Sequence, residues 1–250
     1  MGASKKTIAI VMRRSEFLES SRIVRLCTRD FGCLSFLAKG AHRPRSPFLG
    51  AIDLLHVCEA TVRIKAGRGL QNLYSLKVLQ GNRAFQTDAR RRQLAYHLSD
   101  SIRMAMPEGR PDPALFDLYR GGLTLFAVAA SSCLATILAG IRLRMLRILG
   151  LLPRLDSCPR SGLPLPERGR VAFSPAEGGF LHPKEGGRRV SAELPRLANR
   201  LVELEGMSLG RTSVPRGLLE PLESLLEELL AWHLGERPRV RTPDNLFVSS

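Results

Sequence analysis

The chain has 250 residues, an apolar fraction of 44% and a formal net charge of +15. That apolar fraction supplies a packed core, so disorder is not the default reading, and the length allows one large domain or two to three small ones. The charge favours a polyanion partner such as DNA, RNA or acidic lipid.

Residues 7–80 read as short strands. Thr7 to Met12 is a β-rich run. Ile23 to Cys27 and Cys33 to Leu37 flank the turn Arg29-Asp30-Phe31-Gly32, which predicts a hairpin. Ala51 to Lys65 reads as one long strand, Gly67-Arg68-Gly69 as a turn and Leu70 to Leu79 as the last strand. Five short strands in about 75 residues suit a small closed barrel, and the OB-fold is the natural candidate. Between the third and fourth strands lies Lys39-Gly40-Ala41-His42-Arg43-Pro44-Arg45, three fixed cations in a Gly/Pro loop. Such charges stay hydrated or meet anions, so the loop points to nucleic acid.

Helical spacing begins after Gly81. Phe85 to Met106 is a predicted helix ended by Pro107-Glu108-Gly109, and Asp112-Pro113 opens a second as N-cap and first-turn proline. Gly121 to Ile141 holds no charge over 21 residues, long enough to span a bilayer. Its glycines, alanines and the Ser131-Ser132 break and N-cap favour two buried helices joined by a tight turn. Ser132 to Leu152 is the third helix. Residues 153–190 are rich in Pro, Gly and Arg and read as a loop-dominated insert. Helices return at Glu193 to Leu204 and Pro215 to Leu234. The last carries a stripe of Leu218, Leu222, Leu225, Leu226, Leu229 and Leu230, opposite a wet face of Glu220, Glu223, Glu227 and Glu228. The expected division is 1–80 barrel, 81–152 and 191–236 helical domain, 153–190 insert and 237–250 mobile tail.

Charge is uneven. Residues 1–92 carry 18 Lys/Arg against 6 Asp/Glu, and residues 201–250 carry 5 against 8. The acidic end is expected to be a helical face or protein contact. Five dispersed cysteines do not form a disulfide framework, and the start lacks the apolar core of a signal peptide, so a cytoplasmic location is expected.

The candidate DNA-binding residues are Lys39, Arg43 and Arg45, then Arg13, Arg14, Arg22 and Arg25 on or beside the first two strands. Arg63, Lys65 and Arg68 surround the turn into the last strand, with Arg63 and Lys65 sharing one face. Arg90-Arg91-Arg92 opens a helix against its dipole, so helix stability is not its expected purpose. It either extends the DNA track or pairs with the acidic C-terminal helix. Phe48 and Tyr74 are the candidates for base stacking, and with so few aromatics backbone electrostatics should dominate. No G-x-x-x-x-G-K-[ST], H-E-x-x-H or G-x-S-x-G occurs, so no enzyme is expected.

This order of parts resembles the RecO family of recombination-mediator proteins. The matches are Arg22-Ile23-Val24 with Thr28 to Gly32, Leu37 to Ser46, Gly67-Arg68-Gly69-Leu70, Leu146 to Pro153, Phe173-Ser174-Pro175 with Gly178-Gly179, and Trp232-His233-Leu234. The resemblance implies an α+β multi-domain protein: an N-terminal OB-fold barrel, then a helical domain with a small zinc-finger-like insert. It also implies no catalytic centre and no cofactor. The implied work is binding single- and double-stranded DNA, annealing complementary strands and, with RecR, loading RecA onto DNA coated by single-strand-binding protein. Contact with that protein and with the RecA filament would be indirect; the location would be cytoplasmic and nucleoid-associated, with no membrane. Where many relatives carry two C-x-x-C pairs for zinc, this chain has Cys158, Ser161, His182 and Glu185. That set fits no standard structural zinc site, so no metal is expected. The alternatives from other classes are a basic RNA- or ribosome-associated OB protein and a membrane-associated protein using Gly121 to Ile141.

Overall fold

The computed structural model describes residues 3–65 and 69–235. The chain divides into two compact units, one ending at Ala127 and the next starting at Val128.

The first unit is built on strands β1 (Lys5–Phe17), β2 (Ser21–Thr28), β3 (Gly32–Ala38), β4 (Val57–Arg63) and β5 (Gln71–Gln80). They close a barrel in the order β1-β2-β3-β5-β4. β3 and β5 run parallel and the other neighbours antiparallel, which is the expected OB-like arrangement. Alternation decides the core: Ala9, Val11, Val24, Leu26, Leu34, Phe36, Cys58, Ala60, Val62, Leu73 and Leu76 fill it.

The expected long strand from Ala51 starts only at Val57 and is β4. Residues 39–56 are a chain of turns, and Phe48, Ala51 and Ile52 join the barrel core from it. The apolar residues that mimic a strand there act as a plug. Leu55 adopts φ 68 and His56 N donates to Asp53 O at 3.3 Å, so the chain bends before β4 starts.

Helices α1 (Arg83–Thr87), α2 (Ala89–Ala105) and α3 (Pro113–Val128) follow. The predicted single helix from Phe85 is split at Asp88, which ends α1 and caps α2 by accepting Arg91 N at 2.9 Å. Asp112 caps α3 as expected, accepting Leu115 N at 3.0 Å. α2 and α3 are joined by a buried hydrogen bond between Ser99 Oγ and Tyr119 Oη at 2.6 Å. The β2–β3 turn is keyed to this helical pair. Arg29 makes a two-pronged ion pair with Asp117 at 3.1 and 3.0 Å. Gly32 adopts φ +71, and a Cβ there would lie 2.7 Å from Arg110 O, so only glycine fits.

In the second unit a turn of 3-10 helix at Ser131–Cys133 leads into α4 (Leu134–Ile148). The Ser131-Ser132 break is real, but neither serine caps α4; Cys133 holds the N-cap position without a side-chain bond. Helices α5 (Glu193–Glu203), α6 (Gly206–Arg211) and α7 (Arg216–Leu234) pack on α4. No described helix is long and apolar enough to cross a membrane. The leucine stripe of α7 is buried from Leu222 to Leu230, with Leu219 rather than Leu218 at its start. Its acidic face is not simply wet. The buried Arg142 of α4 pairs with Glu223 and, at 3.4 Å, with Glu227, while Glu228 pairs with Arg188 at 2.7 Å.

The insert is more ordered than its composition suggests. β6 (Arg170–Ser174), β7 (Gly179–Leu181) and β8 (Arg188–Ser191) form a sheet in the order β7-β6-β8. Phe173 and Phe180 meet edge to face at 5.3 Å. Gly179 sits at φ +115, where a side chain would overlap the Pro153 ring.

Candidate nucleic-acid interface

The barrel places the basic loop between β3 and β4, as a run of turns. Arg43 N donates to Gly40 O at 3.1 Å, Ser46 N to Arg43 O at 3.0 Å and Leu49 N to Ser46 O at 3.2 Å. Buried Ser46 and Phe48 anchor the loop, while Lys39, Arg43 and Arg45 stay exposed. None of these three has a carboxylate partner among the described residues. His42 N donates to Ser20 O at 3.3 Å, tying the loop to the β1–β2 turn. Glu16 completes the knot, accepting from Arg22 at 3.1 Å and from His42. Burial pushes the Glu16 carboxyl up, but the hydrogen bonds from Arg22 and His42 outweigh it and hold it below the ordinary value.

The remaining candidates sort by their partners. Arg13 and Arg25 are opposite each other across β1 and β2, two cations side by side without a carboxylate among the described residues. Like charges in that register repel, so the pair favours an external anion. Arg63 is half-buried at the end of β4, opposite Asn72. Lys65 is exposed beyond that strand, its N–H bonded to Gln71 Oε1 at 2.7 Å, so the two share no strand face. Arg68 lies outside the described residues.

Others are occupied. Arg14 is paired with Asp53, and Arg22 with Glu16. Arg91 holds Asp88 at 3.4 Å and donates to Phe126 O near the end of α3. Arg92 donates to Phe85 O at 3.0 Å and Gln86 O at 3.1 Å, at the end of α1. Arg91 and Arg92 therefore support helix ends, a correction to the expectation that they serve no helix stability. They oppose the dipole of their own helix but satisfy the C-terminal carbonyls of two others. Only Arg90 of the three is exposed. Arg14 and Arg92, 78 positions apart, nevertheless line one cleft of about 320 Å³ with Asn82, Phe85 and Tyr96.

Phe48 is 3% exposed and cannot stack on a base, because it plugs the barrel. Tyr74, 45% exposed on β5, keeps that option. Leu18, in the β1–β2 turn, and Leu49, in the basic loop, are exposed apolar side chains that a search for aromatics passes over.

Cys158, Ser161 and Glu185 of the insert are held by local contacts. Ser161 N donates to Cys158 Sγ at 3.5 Å, and Glu185 faces Arg160 at 3.7 Å. Burial raises the Cys158 thiol, but hydrogen bonds from Ser161 and from the backbone N–H groups of His182, Ser161 and Arg160 outweigh it and lower its pKa. Among the described residues no three His, Cys, Asp or Glu side chains form a set that could hold a metal.

Family comparisons agree with this architecture. Residues 1–82 match the model of the recombination protein O N terminal, and residues 86–242 match that of its C terminal. The DNA repair protein RecO of Anaeromyxobacter dehalogenans is 34% identical over 248 residues, covering 94% of both chains. That of Rhodopirellula baltica is 34% identical over 175 residues, covering 70% of this chain and 64% of its own. That of Moorella thermoacetica is 27% identical over 237 residues, covering 93% and 87%. With a closed OB-like barrel under the first match and both matches spanning almost the whole sequence, the chain belongs to the RecO family of DNA repair proteins.

Proposed function

We propose that the protein is a non-catalytic recombination mediator. It binds single- and double-stranded DNA through the barrel, anneals complementary strands and, with RecR, assists RecA loading onto DNA coated by single-strand-binding protein. It would do so in the cytoplasm, at the nucleoid. The observation that carries the reading is the cluster of Lys39, Arg43 and Arg45, exposed and without carboxylate partners on a loop whose backbone is fixed by turns. Arg13 and Arg25 supply a second cationic row on the barrel wall. A fixed loop pays little ordering entropy on meeting phosphate, and guanidinium groups bind phosphate oxygens in pairs.

Contacts of this type neutralise phosphates and leave bases free to pair, as annealing requires. The test is DNA binding by Lys39→Ala/Arg43→Ala/Arg45→Ala across a salt series. Each lost phosphate contact should reduce the slope of log affinity against log salt by about 0.7–0.9, so the triple variant should lose about 2–3. An unchanged slope, with the fold intact, would remove the loop from the interface.

A further inference from the structure

The strands and helices of the first unit bring four sulfur atoms together at a place the DNA reading does not use. Cys27 and Cys33 are directly opposite in the β2–β3 register, and both are fully buried. Met106, the residue that ends α2, lies over them, with its Sδ 3.9 Å from Cys27 Sγ and 3.8 Å from Cys33 Sγ. Met12, from the irregularity in β1 between Val11 and Arg13, brings its Sδ to 3.8 Å from Cys33 Sγ. We propose that these four side chains form a binding site for Cu(I), with two thiolate and two thioether ligands.

Thiols and thioethers also touch at this distance in an ordinary core, and three features distinguish the cluster. The first is its shape. Four sulfurs placed tetrahedrally about an ion at the metal–thiolate distance of about 2.3 Å lie about 3.8 Å from one another. Three of the six sulfur–sulfur separations, Cys27–Met106, Cys33–Met106 and Cys33–Met12, already lie at 3.8–3.9 Å. The second is ligand chemistry. Thiolate and thioether are soft, and two methionines beside two cysteines match Cu(I) better than the harder divalent ions.

The third is charge. Displacing two thiol protons to solvent for one Cu(I) leaves the site with one net negative charge. Arg25 lies two residues from Cys27 on the same face of β2, and its Nε is buried without a hydrogen-bond partner. Both Arg25 and Arg103 act on Cys33 electrostatically, with Glu108 opposing them. Binding of the ion displaces both thiol protons. Met12 is half-buried and provides the solvent-side approach, whereas Met106 is 1% exposed. An ion held here would fasten β1, the β2–β3 hairpin and the end of α2 together.

The experiment is an anaerobic titration of the reduced full-length protein with Cu(I) against a chromogenic Cu(I) chelator, followed by X-ray absorption. The expected result is one equivalent withheld from the chelator, an all-sulfur shell at about 2.3 Å and a raised unfolding temperature. Met12→Leu/Met106→Leu keeps the side-chain volume and should fold, yet weaken retention at least tenfold. Cys27→Ser/Cys33→Ser should abolish it. No copper withheld by the folded wild type would overturn the proposal. So would undiminished retention by the Cys27→Ser/Cys33→Ser variant, which would place the ion on other thiols, or a Cys27–Cys33 disulfide in the freshly isolated protein.

Discussion

At the residue scale, the same side-chain type serves opposite purposes according to its neighbours. Phe48 and Tyr74 both belong to the barrel, but one is plug and the other surface. Phe48→Ala should cost about 3–5 kcal/mol of stability in denaturant unfolding, the usual loss for emptying a buried phenylalanine site. Tyr74→Ala should leave stability within about 0.5 kcal/mol and, if the ring stacks on a base, weaken single-strand binding by about 1–3 kcal/mol. Glu16 gives a pH signature. Its pKa is depressed in the folded protein, so its contribution is fully present above the ordinary carboxylate value of 4.5 and is lost as pH falls through the depressed one. A side-chain carboxyl NMR titration should place the Glu16 midpoint below 4.5, and Arg22→Ala should move it upward.

At the scale of elements, the five strands and most helices were legible because local signals agree. The Thr28 to Gly32 turn, the Asp112-Pro113 cap and the α7 leucine stripe each carry their own rule. What was not legible depended on partners distant in sequence. Nothing local says that Arg14 meets Asp53, that Arg92 reaches the end of α1, or that Ala51 and Ile52 leave the strand pattern to close the barrel. The family motif from Thr28 to Gly32 lies near the basic loop in sequence, but it is built for packing: Thr28 Oγ1 closes the turn by donating to Gly32 O at 2.8 Å, Arg29 grips Asp117 of α3, and Gly32 lies against the backbone of Arg110. Gly32→Ala should therefore destabilise by more than the ~1–2 kcal/mol of a left-handed residue alone, because Arg110 must also move. Thermal unfolding of that variant, with DNA binding measured well below its midpoint, separates the structural role from a direct DNA contact.

At the scale of the whole molecule, the positive charge that composition announces is only partly available. Arg14, Arg22, Arg91, Arg92 and Arg142 are spent on internal carboxylates and carbonyls, which leaves, of the described candidates for DNA, Lys39, Arg43, Arg45, Arg13, Arg25, Arg63, Lys65 and Arg90 facing outward or without carboxylates. The second unit spends its acidic residues in the same way. Burial raises the Glu223 carboxyl while Arg142 opposes the shift. Arg142→Met should cost about 2–4 kcal/mol, since it strands a half-buried acid, and the added change Glu223→Met should restore part of that loss in urea unfolding.

The central claim is that the outward-facing cations hold DNA by its backbone and so promote pairing. It is tested most directly by the annealing of two complementary oligonucleotides by the purified protein, without ATP, across a salt series. The expected result is annealing much faster than the protein-free rate, fading steeply as salt rises and depending little on sequence. Absence of both binding and annealing at low salt would contradict the account and assign the barrel's charge to another partner.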